Sequence, residues 1–282
     1  MRSTLQIGPL ALPFALLVLL SAAALGLFIG KRIGRKVGMD VEPQIIRVLL
    51  VAVVLARLAF VWQYRDAYFS APLGILDIRD GGWDPQAGLI AAWVYTLILI
   101  RPCPALRKPL LAAIGTAGVF WMVGSFTLLA LPQDEILLPA ITLSTFDGGT
   151  ASLMSFEGKP TVVNLWATWC PPCQREMPVL QHAQADHPEL HFVFLNQGES
   201  YAAVQHFLAS RNLELRNVLL DPEGKAGAQF GQSALPATLF FDASGRLVDQ
   251  RIGELSHATL AQRLTALAAP SSKRTSQPPS IP

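Results

Sequence analysis

Cysteine is scarce in this chain: three residues in 282, too few to staple a disulfide-rich scaffold. Charge is scarce as well, with 15% Asp, Glu, Lys and Arg and a formal net charge of +2. So neutral a chain presents no broad basic field to a phosphate backbone, which excludes nucleic acid as a partner. Apolar residues fill the gap at 51%, high for a soluble protein, so part of the chain is expected in lipid. The length suits two domains of ordinary size.

The apolar excess gathers before Leu131-Pro132. Runs at roughly Pro9–Gly30, Ile45–Trp62, Ala87–Ile100 and Leu110–Leu131 predict four membrane spans. The third falls short of the roughly 20 residues a spanning helix needs, unless Trp83–Gln86 dips into the interface. Lys31, Arg32, Arg35 and Lys36 follow the first run, and Arg101, Arg107 and Lys108 follow the third. Between them, Tyr64–Gln86 carries Asp66, Asp77, Asp80 and Asp84 against Arg65 and Arg79. Because Lys and Arg collect on the cytoplasmic side, the amino terminus and everything beyond Pro132 are expected outside the cytoplasm, where disulfide chemistry persists. A cleavable signal peptide is the alternative for the first run, which contains Ala22, Ala23 and Ala24. Such a peptide carries its positive charge ahead of the apolar core, whereas here only Arg2 precedes and the basic cluster follows. Arg57 lies within the second run, where a guanidinium must be paired or reach the interface. It snorkels towards Asp77 or Asp80, or it binds a lipid headgroup, since Arg matches phosphate bidentately.

From Leu138 the pattern changes to alternating elements, as in an α/β domain. Strands are expected at Thr161–Trp166, His191–Leu195, Ala237–Asp242 and Leu247–Ile252, the last two a hairpin turning at Ala243-Ser244-Gly245. Helices are expected from Pro171 to about Ala185, at Ala202–Ser210 and near Ala258–Ala268. The expected organisation is a transmembrane anchor over 1–131, a globular domain over 132–270, and a Ser- and Pro-rich disordered tail over 271–282.

Trp169-Cys170-Pro171-Pro172-Cys173 stands between the first of these strands and a helix, which puts the first sulfur at the helix amino end. Unpaired N–H groups and the helix dipole favour an anion there, so the Cys170 thiolate is expected to form below the roughly 8.5 of a free cysteine and to act as nucleophile. Cys173, one turn on and facing inward, would resolve the mixed disulfide. Cys-x-x-Cys is also half of a structural zinc site. The second half is not evident: His182, His187 and His191 lack tight ligand spacing, and Cys103 falls on the other membrane face, so no metal is expected. A buried inert disulfide is a further alternative. Trp169 and the two prolines point instead to an exposed, reactive rim.

VNLWATWCPPCQREMP, residues 163–178, resembles the active-site region of the TlpA-like class of thioredoxin-fold, membrane-tethered disulfide reductases, and the similarity runs over about Leu138–Ala269. Behind the N-terminal α-helical bundle of about four spans that the apolar runs predict, the resemblance implies a C-terminal α/β thioredoxin-like fold. It implies a protein-disulfide reductase without a cofactor beyond the redox-active Cys170–Cys173 pair. It places a helix-kinking proline at Pro178 and a cis proline at Pro236, next to Leu235, where an extended client segment pairs near the sulfurs. Asn164 replaces the buried aspartate of thioredoxins, which leaves Glu176 as the candidate proton acceptor. The implied partners are extracytoplasmic cysteine-containing proteins and a DsbD-type membrane electron donor. The implied location is the bacterial inner (cytoplasmic) membrane, with the redox domain facing the periplasm.

Residues around Arg57–Gly88, namely Arg57-Leu58-Ala59-Phe60-Val61, Pro72, Asp80-Gly81-Gly82 and Gly88-Leu89-Ile90, are similar to prolipoprotein diacylglyceryl transferases. Gln86-Ala87 stands where that family has a histidine before its glycine pair, and an amide cannot replace an imidazole as base or proton shuttle. The membrane half is therefore expected to be an anchor in contact with membrane lipid. The alternative is a transferase-related membrane protein with an accessory thioredoxin domain.

Overall fold

The computed structural model describes residues 4–7, 10–69, 72–77, 80–130, 135–232 and 234–268. The expected tail over 271–282, the Leu131-Pro132 boundary and Arg79 lie outside the described residues. The chain divides into two compact units, Met1–Asp134 and Glu135–Pro282.

The first unit opens with a short antiparallel pair, β1 (Thr4–Ile7) and β2 (Leu10–Pro13). Helices α1 (Phe14–Lys36), α2 (Glu42–Gln63), α3 (Arg65–Phe69), α4 (Pro85–Ile100) and α5 (Arg107–Ala130) follow. Of these, α1 and α2 are long and apolar enough to cross a membrane, as is α5 together with the single 3₁₀ turn before it. At 1.5 Å per residue the 16-residue α4 reaches only about 24 Å, short of a hydrocarbon core of about 30 Å. Among the described residues, three helices reach spanning length where four spans were expected. Trp83 does not extend α4, because Asp84 caps it: its carboxylate accepts from the Gln86 and Ala87 N–H groups at 2.9 and 3.0 Å.

Ala22, Gly26, Gly30 and Gly34 recur every fourth residue along the buried face of α1. A Cβ on Gly26 would stand 2.7 Å from the Ala113 carbonyl oxygen, and one on Gly30 2.9 Å from the Ala113 Cβ. The two backbones therefore meet at a distance that only small residues permit.

The second unit is built on a mixed seven-stranded sheet of order β4-β3-β7-β6-β5-β8-β9. Its strands are β3 (Thr142–Thr145), β4 (Thr150–Ser152), β5 (Thr161–Trp166), β6 (His191–Gln197), β7 (Val218–Asp221), β8 (Ala237–Phe241) and β9 (Leu247–Ile252). The central β5, β6 and β7 are parallel, joined through α6 (Pro171–Asp186) and α7 (Tyr201–Ser210); β3 and β8 flank them antiparallel. A short α8 (Lys225–Gln229) and a terminal α9 (His257–Ala268) complete the unit.

Every residue of β5 is buried because both of its faces are covered. Val162 and Trp166 face α6, α7 and α9, with Phe192, Phe194 and Phe240 beside them. Val163 and Leu165 face the opposite layer of Leu153, Phe156, Ala226 and Phe230. Strands β3, β4 and β7 and helix α8, absent from the sequence expectation, are all five residues or fewer, too short for a period to show.

Candidate active site

Cys170 is the N-cap of α6, and Pro171 and Pro172 occupy the first two helical positions. Neither proline has an N–H, so the first free donor of the helix belongs to Cys173. It points at Cys170 Sγ, 3.3 Å away, while the next N–H, from Gln174, closes on the Cys170 carbonyl at 3.0 Å. The two cysteines form a disulfide with their Cα atoms 5.2 Å apart. An anionic Cys170 sulfur would meet that N–H and the positive end of α6 together.

The expected rim needs correcting in one respect. Cys170 is 3% exposed and Cys173 fully buried, whereas Trp169 is 68% exposed. The disulfide lies beneath the surface because Cys170 and Cys173 both belong to the buried cluster under α6. Trp169 and the exposed Pro171 carry the apolar rim on either side of Cys170 in sequence.

Asn164 and Glu176 meet behind the dithiol. The alternation of β5 turns Asn164 towards α6, and its Nδ2 donates to Glu176 Oε1 at 2.8 Å and to Thr238 Oγ1 at 3.0 Å. Glu176 lies one turn past Cys173 on the same helix and is fully buried; its Oε2 accepts the Leu255 N–H at 3.1 Å. Burial pushes the Glu176 carboxyl up to about 8, and neighbouring Glu254 adds to the rise; the Asn164 and Leu255 hydrogen bonds and Arg251 oppose it. A carboxyl that titrates close to the roughly 8.5 of a cysteine thiol can exchange a proton with one at little cost.

The Leu235–Pro236 peptide bond is cis. Pro236 is buried and its carbonyl accepts the Gly253 N–H at 2.9 Å, which ties the start of β8 to the end of β9. Leu235 remains partly exposed and packs against the cluster that contains both cysteines. Pro178 lies inside α6, and the helix continues through it.

Sequence reasoning missed a set of polar residues that hold these elements in place. Arg175 on α6 forms a two-pronged ion pair with Glu254, through Nε at 3.0 Å and Nη2 at 2.5 Å, beside the Leu255 N–H that reaches Glu176. Glu199, just after β6, accepts from both Thr168 and Asn196. The signal that could have found Glu199 is topological: the carboxyl ends of neighbouring parallel strands in an α/β sheet are where site residues collect.

Among the described residues, no group of three or more His, Cys, Asp or Glu is placed to hold a metal ion. Cys103 is a free, half-buried thiol in the other unit.

In the membrane unit, Arg57 turns to Asp80, one of the two aspartates expected to receive it, and not to a headgroup. It is 7% exposed, and Asp80 receives it through Nη1 at 2.9 Å and Nη2 at 3.3 Å. Nε donates to the Ile75 carbonyl, Nη1 to that of Gly82, and Nη2 to those of Gly74 and Asp77, at 2.7 to 3.1 Å. A guanidinium has five N–H donors, and these acceptors engage all of them, leaving none for a phosphate. The Tyr68 hydroxyl and the Gly82 N–H complete the cage by donating to Asp80. The expected headgroup ligand is therefore instead the internal tie of the α2–α4 connection.

Comparison with known proteins places both halves. The Redoxin family model matches residues 133–266, and the Prolipoprotein diacylglyceryl transferase model matches residues 2–127. The soluble secreted antigen MPT53 of Mycobacterium tuberculosis is 30% identical over 177 residues, covering 62% of this chain and 99% of the antigen. Thiol-disulfide oxidoreductase ResA of Bacillus anthracis is 30% identical over 118 residues, covering 41% of this chain and 68% of ResA. Thioredoxin-like protein YneN of Bacillus subtilis is 29% identical over 136 residues, covering 47% and 79% respectively.

Proposed function

We propose a client class, a direction of electron flow and a setting for this chain, which belongs, through residues 133–266, to the redoxin family of thiol-disulfide oxidoreductases. It reduces disulfides in extracytoplasmic proteins, anchored in the bacterial cytoplasmic membrane by its apolar helices with the redox unit on the periplasmic side. The observation that carries this reading is the Cys170–Cys173 disulfide at the amino end of α6 with buried Glu176 one turn behind it.

The proposed reductive cycle uses these positions. With the pair reduced, the Cys170 thiolate attacks one sulfur of a client disulfide, a new Cys170–client bond forms and the client's other sulfur leaves as a thiolate. Glu176, in its ionised form, takes the proton of Cys173 and later releases it to water, while the Cys173 thiolate attacks Cys170 Sγ, expels the second client thiolate and closes the Cys170–Cys173 disulfide. Two electrons have then moved to the client, whose thiolates take up protons from water. The dithiol is regenerated by exchange with a DsbD-type membrane donor. Trp169 and Leu235 supply the apolar contact for an extended client segment, and cis Pro236, buried beneath, holds the backbone of Leu235 in place.

The test is a trap in intact cells. In Cys173→Ala the mixed disulfide on Cys170 cannot resolve, so extracytoplasmic proteins should be recovered from the membrane fraction attached to Cys170 and released by reductant. Recovery of none, with the variant present in the membrane, would rule this function out.

A further inference from the structure

The loop between β5 and α6 is held by a carboxylate that the exchange cycle does not use. Trp166 of β5 pairs with Asn196 of β6, so the segments leaving these two parallel strands lie side by side. Glu199 sits on the second of them. Its Oε2 accepts the Thr168 N–H at 2.7 Å and Asn196 Nδ2 at 2.7 Å, and its Oε1 accepts the Thr168 hydroxyl at 2.5 Å. From the other side, Gln174 Nε2 donates to the Thr168 carbonyl at 2.7 Å, and Arg211 Nη2 donates to Gln174 Oε1 at 3.0 Å.

Thr168 thus has its N–H, its carbonyl and its hydroxyl all engaged by side chains of other elements. Asn196, which shares the carboxylate, is fully buried. Three hydrogen bonds to side chains outside the loop therefore converge on Thr168. The next residue is Trp169, 68% exposed, and the one after it is Cys170. With most of its indole exposed, Trp169 depends for its direction on the backbone that carries it, and Thr168 is the residue before it.

We infer that Glu199 is a positioning residue for client recognition: by clamping Thr168 it fixes the outward pose of Trp169 beside the dithiol. The inference rests on the exchange function proposed above. A protein disulfide has to dock on this rim before its sulfur reaches Cys170, whereas a small disulfide needs no docking. Loss of the clamp should therefore separate the two classes of substrate.

The experiment uses the full-length chain in detergent, with insulin as the protein disulfide and DTNB as the small one. For Glu199→Ala, kcat/KM for insulin should fall about tenfold, chiefly through KM, while the DTNB rate stays within about twofold. Glu199→Gln should recover the insulin rate. Its amide oxygen can accept from the Thr168 N–H and Asn196, and its NH₂ can donate to the Thr168 hydroxyl, so the clamp survives without the charge. Thr168→Val, which removes only the hydroxyl, should give an intermediate loss and serves if Glu199→Ala fails to fold. Equal losses on both substrates, or a Gln variant as impaired as the Ala variant, would overturn the inference. An active wild type with an unimpaired Ala variant would overturn it alone. A wild type inactive on both substrates would overturn the exchange function and this inference with it.

Discussion

At the residue scale, the chemistry turns on a carboxyl that burial keeps from ionising readily. Glu176 has a folded-state value of about 8, raised by burial above its ordinary 4.5. Between those two values the folded protein holds a proton that the unfolded chain has released. Its contribution to stability is therefore fully present below about pH 4.5, declines as pH rises and is gone above about 8. Glu176→Gln cannot titrate, so a series of urea melts should show the wild type losing stability across this window and the variant running flatter. The same variant lacks the ionised carboxylate that takes the Cys173 proton, and its disulfide-exchange rate should fall by about 10²-fold near pH 8, where that form becomes abundant. An unchanged rate would remove Glu176 from the cycle. Asn164 supports the arrangement, since its amide donates to Glu176 and Thr238 without adding a second buried charge.

At the element scale, the two halves use different devices to bring their elements together. In α6 the Cys-Pro-Pro-Cys segment removes two N–H donors from the first turn and leaves the Cys173 N–H for the Cys170 sulfur. In α1 the device is a stripe of Gly26, Gly30 and Gly34, two of which face Ala113 and Ala117 of α5. Between helices in lipid there is no gain from excluding water, so close backbone approach supplies the packing energy. Gly26→Leu should force α1 off α5 and cost about 1–3 kcal/mol, read as a lowered melting temperature in detergent. Gly115→Ala is the control, since nothing lies within 4 Å of where its Cβ would stand. That variant should melt at or above the wild-type temperature; equal losses in the two variants would contradict the packing account.

At the scale of the whole molecule, Met1–Asp134 and Glu135–Pro282 are two compact units with separate cores. Both hydrophobic layers of the redox unit are drawn from residues after Leu131, beginning at Ile136 and Leu138. A fragment spanning residues 135–268 should therefore fold cooperatively in water without detergent. It should reduce insulin within about threefold of the full chain, because Cys170, Cys173, Asn164, Glu176 and Pro236 all lie within it. Circular dichroism melts and insulin turnover check this; an aggregated or inactive fragment would show that the membrane unit completes the fold. The full chain, unlike the fragment, should sediment with membranes.

How much of this was legible follows from the range of each signal. The apolar runs, the basic loops that follow them and the Cys-Pro-Pro-Cys segment between a buried strand and a helix are local patterns, and the sequence by itself determined them. Strand β5 and the first residue of α6 stand where that pattern predicts, because a run of Thr, Val and Trp and a proline at a helix start act within a few residues. For Arg57 the acidic partner Asp80 was legible, but the carbonyls that complete its cage were not: they come from residues 17 to 25 positions away, and only the closed loop converts a costly guanidinium into a saturated one. The Leu255 N–H that reaches Glu176 comes from 79 residues on, and Glu199 reaches Thr168 across 31. Sequence proximity carries no information about such pairs. The order of the strands brings them together, so tertiary structure alone decided which polar groups surround the dithiol, while local chemistry had already decided where the dithiol would be.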